Sequence, residues 1–113
     1  MRQDIRARLS VIVLSFNGMQ HLPECLASIQ RQISDLDEFI VVDNGSRDGS
    51  AEYVGTHFPD ARLIRLPENQ GFCRGMNVGI QNASGDLILL LNQDLRLHDA
   101  CLRNLVHTWH HPP

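Results

Sequence analysis

The sequence predicts an α/β fold, a mainly parallel sheet of four strands with helices on both faces in three layers. Three observations carry that prediction. Apolar runs rich in Val, Ile and Leu recur at Leu9–Ser15, Glu38–Asp43, residues 61–66 and residues 86–91; each is followed by a cluster of turn-forming residues; and each cluster leads towards a stretch with helical spacing. Such alternation builds parallel strands joined by right-handed crossovers. The chain has 113 residues, 42% of them apolar before its eight glycines are counted. That is enough for one core, and we expect a single domain over residues 1–113.

Leu9–Ser15 is nearly continuous in apolar, often β-branched residues, the pattern of a parallel strand covered on both faces. Arg2, Arg6 and Arg8 precede it as the charged region of a signal peptide would. Asp4 interrupts that charge, however, Ser10 and Ser15 interrupt the run, and Asn17-Gly18 follows where a small-residue cleavage site would stand. No apolar run approaches the ~18 residues of a membrane helix. We therefore expect a strand in a soluble, cytoplasmic protein. Pro23 suits the first turn of a helix that buries Leu22, Leu26, Ile29 and Ile33 and leaves Glu24, Gln30 and Arg31 largely to solvent. Glu38–Asp43 is the second strand. Residues 44–50 are dense in turn formers, and a short helix over 51–58 ends at Pro59-Asp60.

Residues 61–66 alternate weakly as a third strand, and residues 67–71 form a loop. A helix is expected over 73–83, although Gly75 and Gly79 each cost about 1 kcal/mol against Ala inside it. Residues 86–91 are the most buried-looking strand. Beyond them Asp99 is placed to cap a last helix that carries Leu102, Leu105, Val106 and Trp109 and stops at Pro112.

Composition removes several classes of function. All ten basic residues are Arg, so Schiff-base chemistry and the phosphate loop of Walker type, which need an ε-amine, are excluded. A formal net charge of -3 without a basic stripe argues against binding nucleic acid or an anionic membrane. Cys25, Cys73 and Cys101 are odd in number, lack C-x-x-C spacing and each fall in a predicted helix, so they read as reduced, mostly buried thiols rather than a disulfide or zinc site. His107, His110 and His111 can gather on a final helical turn and bind Ni²⁺ or Zn²⁺ adventitiously. The better reading is a helix end on which Trp109 requires apolar cover.

Ligands of open parallel sheets bind beyond the carboxyl ends of the strands, where the strand order reverses. That directs attention to residues 15–18, 43–46, 67–71 and 92–94. Asp43 can accept a hydrogen bond from a ribose hydroxyl, from the imide N–H of uracil or thymine, or from its own backbone in a turn. The dinucleotide version is weakened because no G-x-G-x-x-G follows the first strand. Asn92-Gln93-Asp94 puts an amide oxygen and a carboxylate two residues apart, a set that suits Mg²⁺ or Mn²⁺ beside substrate phosphates; a solvated turn is the plainer alternative. Glycines at 71, 75 and 79 share one helix face. They admit either a ligand, with Arg74 meeting phosphate near the helix start, or tight packing on the sheet.

Taken in order, the first strand with Asn17-Gly18, the string Ile40-Val-Val-Asp-Asn-Gly-Ser46 with Asp48-Gly49-Ser50, Leu66-Pro-Glu-Asn-Gln-Gly-Phe72, and Gly85-Asp86 through Leu91-Asn-Gln-Asp94 resemble the nucleotide-binding half of family 2 glycosyltransferases. The resemblance spans residues 10–102, and the Asn-x-Asp spelling looks like rhamnosyltransferase-type members. It implies a Rossmann-like GT-A half-fold that binds a nucleotide-diphosphate sugar, a UDP- or dTDP-sugar. By the same resemblance Ser15, Phe16 and Asn17 line the nucleoside, Asp43 contacts the base with Asn44 beside it, and Gly71 and Asn77 border the nucleotide, to which Arg74 is added from its place near the helix start. Asn92 and Asp94 stand at the D-x-D-type motif, where Asp94 binds Mg²⁺ or Mn²⁺; Asn92 departs from the acidic pattern, which weakens metal binding without nucleotide. Asp86 is either structural or close to the sugar. The implied reaction is metal-assisted, inverting transfer to a saccharide or lipid-linked acceptor hydroxyl. The resemblance puts the catalytic base downstream of the metal motif, so the expectation is a truncated donor half with an exposed apolar face open to homo-oligomers. The alternative is a non-catalytic nucleotide-binding or interaction module on the same half-fold.

Overall fold

The computed structural model describes residues 7–113; Arg2, Asp4 and Arg6 of the charged start lie outside the described residues. The chain runs β1 (Leu9–Ser15), α1 (Leu22–Gln30), β2 (Glu38–Asp43), α2 (Ser50–His57), β3 (Arg62–Arg65), α3 (Phe72–Asn82), β4 (Leu87–Asn92) and α4 (Cys101–His110). All four strands are parallel, in the order β3-β2-β1-β4. Two crossovers step outward from β1 to β2 and β3, and the third returns to the other side of β1. The reversal of order therefore lies beside β1, whose seven residues are all buried, as its unbroken apolar run predicts.

Alternate residues of β1 feed two cores. Leu9, Val11 and Val13 pack with Leu22, Leu26 and Ile29 of α1, Val54 of α2, and Leu102 and Val106 of α4. On the opposite face Ile12 and Leu14 join Ile40 and Val42 of β2 and Met76 of α3. The three expected layers are present. The glycines of α3 explain how closely it lies on the sheet: a Cβ at Gly75 would stand 2.6 Å from Leu14 Cδ1, and one at Gly79 would stand 2.5 Å from Ile12 Cγ2. Of the two readings open for that spacing at Gly75 and Gly79, packing is the one the structure takes.

Four details differ from expectation. α1 stops at Gln30, so Ile33 reaches the core from the following turn. β4 is an edge strand rather than the most buried one. Its register with β1 turns Ile88 and Leu90 towards the α3 face, where α3 packs on β1 and β2, and leaves them 43% and 42% exposed. Asp99 does not cap α4. Ala100 occupies the cap position with φ 68, and the Leu102 N–H is met by Gln32 Oε1 at 3.0 Å, a partner far away in sequence. Of the thiols Cys25 is buried, Cys101 half-buried and Cys73 exposed, since Cys73 lies off the face through which α3 meets the sheet. Among the described residues no helix is long and apolar enough to cross a membrane.

The C-terminal histidines find partners within the chain. His110 Nε2 accepts the Ala7 N–H at 3.0 Å, while the His107 and His111 rings lie 4.4 Å apart. Trp109 lacks the apolar cover it was expected to need. It is 60% exposed and borders, with Leu87, Ile88 and Leu105, an apolar groove of about 870 Å³.

Candidate functional site

The loops leaving the four strand ends meet on one rim, and side chains tie each to its neighbour. Asn17, at φ 46, donates its N–H to Ser46 Oγ at 2.9 Å and accepts the Arg47 N–H on Oδ1 at 2.8 Å. Asp48 accepts the N–H groups of Met19 and Ser50 together with the Ser50 hydroxyl. Desolvation opposes its charge, but these donors hold the carboxyl below its ordinary value. Asn44 is buried and clamps the next loop, accepting the Gln70 N–H at 2.9 Å and donating to the Gly71 carbonyl at 3.1 Å. Beside it Gly45, at φ 82, packs so close to Glu68 that a Cβ would meet the Glu68 carbonyl carbon at 2.5 Å. The loops after β1, β2 and β3 thus form one braced surface.

Asp43 ends β2 opposite Ser15, the last residue of β1. Its Oδ2 accepts the Ser46 N–H at 3.1 Å, which is the self-bonded turn weighed from sequence. Its Oδ1 is buried without a hydrogen-bond partner, and so is Ser15 Oγ. A buried polar atom left unpaired costs ~1–3 kcal/mol. Asp43 lines a cleft of about 280 Å³ together with Ser46, Arg47 and Arg65.

A second cleft on the same rim, about 360 Å³, is lined by Phe16, Asn44, Asn69, Phe72, Asn92 and Asp94, with His21 and Gln93. Asn92 closes β4 opposite Leu14. Beneath it the Cys25 thiol donates to the Asn92 carbonyl at 3.8 Å; burial first, then the negative charge of Asp94, pushes that thiol from 9.0 up to about 11. Asp94 and Asn92 offer oxygen donors only, a set that fits Mg²⁺ or Mn²⁺. Among the described residues no three His, Cys, Asp or Glu side chains converge on a metal position. An ion held here needs further oxygens, as Mg²⁺ has when one carboxylate shares it with substrate phosphates.

Asp43 and Asp94 leave strands that flank β1, so the two chain ends are about 10 Å apart across the rim, two interstrand spacings. Phe16, Asn44, Asn92 and Asp94 share a cleft, and Asp43 lies in the adjacent one. Ser15 is buried beneath them. Gly71 starts α3 with φ 89, a conformation that favours glycine, and a Cβ there would touch nothing. Arg74 and Asn77 are exposed on α3 and line neither cleft. Asp86 sits at the opposite end of β4, accepting the Arg8 N–H at 3.0 Å, which decides its two readings in favour of structure. Sequence reasoning missed Gln93, whose carboxamide accepts the Phe16 N–H at 2.8 Å and donates to the Phe16 carbonyl at 3.0 Å. The only signal was an amide in the middle of the Asn-x-Asp string.

Residues 10–113 match the family described as Glycosyl transferase family 2. The chain is 35% identical over 91 residues to the uncharacterized glycosyltransferase YfnE of Bacillus subtilis (strain 168), covering 78% of this chain and 23% of that protein. It is 30% identical over 105 residues to the glycosyltransferase AglE of Haloferax volcanii, covering 88% and 34%. Among solved structures it is similar to the mannosyltransferase PcManGT from Pyrobaculum calidifontis in complex with GDP-Man and Mn²⁺, with a TM-score of 0.83 and 28% identity over 96% of this chain and 34% of that one. S. aureus TarS 1-349 in complex with UDP shares the fold, with a TM-score of 0.83 and 24% identity over 92% and 32% of the two chains. The chain thus spans about a quarter to a third of the length of these relatives.

Proposed function

The chain belongs to glycosyl transferase family 2, and from that premise we propose that its rim binds the nucleotide diphosphate of an activated sugar, as the donor half of a sugar-transfer enzyme. One observation carries the proposal: the unpaired Asp43 Oδ1 and the oxygen donors of Asn92 and Asp94 stand on one rim, on either side of β1. In this reading Asp43 Oδ1 accepts the imide N–H of uracil or thymine, and Phe16 and Asn17 line the nucleoside above the buried Ser15. Asn44 shapes the floor through its clamp on Gln70 and Gly71. Arg74, exposed in the first turn of α3, and Asn77, exposed at its middle, border the diphosphate beyond the two clefts.

Asp94, with Asn92, would hold Mg²⁺ or Mn²⁺ against the diphosphate oxygens. Bound there, the ion supplies electrostatic stabilisation of the leaving diphosphate. The Mn²⁺ complex of the similar PcManGT supports divalent-metal use. The acceptor, a saccharide or lipid-linked hydroxyl, attacks the anomeric carbon with inversion, and its base is assigned to no residue of this chain. The Asn92-x-Asp94 spelling supports a rhamnosyltransferase-like subgroup. The domain occupies residues 1–113 as part of a larger transferase.

A thermal-shift screen with UDP, dTDP, GDP and NAD, each with and without Mn²⁺, tests the reading. We expect stabilisation by UDP or dTDP that requires Mn²⁺, about 2.7 kcal/mol at a hundredfold excess over Kd. A preference for GDP would overturn the pyrimidine assignment at Asp43. No response to any nucleotide diphosphate would overturn the whole reading. Nucleotide binding without transfer, in a chain extended to the length of the relatives, would favour a non-catalytic module.

A further inference from the structure

We infer that Gln93 is a positioning residue of this site: its carboxamide sets the spacing between Asp94 and the loop bearing Phe16 and Asn17, and so couples the divalent ion to the nucleotide. This deepens the nucleotide-sugar reading and rests on it. The backbone ladder between β1 and β4 ends at the Leu14 and Asn92 pair. One residue further on, Gln93 replaces the missing strand partner with its side chain, pairing with both the N–H and the carbonyl of Phe16 at 2.8 and 3.0 Å. A planar amide held at both ends resists sliding and rotation together. Its own neighbours in sequence are Asn92 and Asp94, and all three line the cleft that Phe16 walls.

From Phe16 the connection continues without a gap. Asn17 bonds to Ser46 and Arg47, and the Ser46 N–H bonds to Asp43 Oδ2. A contiguous set of hydrogen bonds therefore joins the metal end of the rim to the base end, with Gln93 as the sole side chain in it contributed by the β4 loop among the described residues.

Gly18 supplies independent support. Its φ is not among the positive values of the chain, so its backbone does not demand glycine. A Cβ there would instead lie 2.0 Å from Gln93 Oε1 and 2.4 Å from Gln93 Cδ. Gly18 leaves the space in which the carboxamide lies. Gly18→Ala consequently expels a flexible side chain from its seat, the three atoms nearest the added Cβ all belonging to Gln93.

The test titrates the 113-residue chain, with and without Mn²⁺, using whichever of UDP, dTDP and GDP binds it best, for the wild type, Gln93→Leu, Gly18→Ala and the double variant. The quantity read is the ratio of nucleotide affinities with and without Mn²⁺. We expect each single variant to lower that ratio by at least about fivefold, the lower end of typical coupling between sites. The double variant should be no worse than either single one, because Gly18→Ala acts through Gln93. Affinity lost equally with and without Mn²⁺, or additive losses in the double variant, would overturn the inference and leave nucleotide binding standing. A wild type that binds no nucleotide overturns both. Should Gln93→Leu fail to fold, Gly18→Ala decides alone.

Discussion

Asp43 uses one oxygen to close its own turn at Ser46 and leaves the other buried and unpaired. The turn holds the carboxylate in place whether or not a ligand is present, so an amide substitute keeps the loop but loses a charged acceptor. Asp43→Asn should weaken a pyrimidine nucleotide diphosphate by at least ~1.4 kcal/mol, a tenfold loss; equal affinity by direct titration would remove Asp43 from the base. Asp94 is exposed, so Asp94→Ala should abolish the effect of Mn²⁺ on nucleotide affinity without lowering the unfolding midpoint. Both residues could be singled out in the sequence because each stands at or just beyond the carboxyl end of an apolar strand, where ligands of such sheets bind. The braces could not be: Asn44 was expected beside Asp43, but its clamp on Gln70 and Gly71, the Asp48 bond to Met19 and the Gln93 bonds to Phe16 join residues 26 to 77 apart.

At the scale of elements, the strand runs and most helix bounds could be read to within a residue, the end of α1 and the cap of α4 excepted, because period and turn chemistry are local properties. What α3 does with its glycines was open until the sheet was beneath it. A Cβ at Gly79 would press on Ile12, which is fully buried, and overpacking of that kind costs ~1–3 kcal/mol against the ~1 kcal/mol of helix propensity gained. Gly55 in α2 has nothing within 4 Å of the same position. Gly79→Ala should therefore destabilise the chain in urea unfolding, while Gly55→Ala stabilises it by about 0.4–1 kcal/mol. Stabilisation by both would show that α3 does not need its close approach. α4 gives the same lesson from the other side, being capped through Gln32 rather than by the Asp99 beside it.

The molecule as a whole presents one margin unlike the rest, with exposed apolar residues on both sides of the sheet beside β4. Ile88 and Leu90 on the edge strand, with Leu105 and Trp109 on α4, are 42% to 60% exposed, and the outer edge of β4 has no strand partner among the described residues. Apolar surface beside an open strand edge favours association with another copy. We expect sedimentation to report self-association that grows with concentration, and Leu90→Lys, which puts a charge on that edge, to shift the chain towards monomer. A wild type that stays strictly monomeric at high concentration would count against this.

The sequence by itself determined the parallel α/β architecture, the position of the acids at 43 and 94 at or beyond the carboxyl ends of their strands, and the family. Each is written in nearest-neighbour pattern: apolar period, turn residues and the chemistry at a strand's end. Only the tertiary structure decided that β4 lies at an edge with its apolar face open, that Asp86 faces away from the site, that glycines 75 and 79 serve packing, and that Gln93 braces Phe16. Burial and hydrogen-bond partnership depend on which distant segments arrive alongside. A run of leucines reads the same at the centre of a sheet and at its margin until a neighbouring layer covers one and not the other.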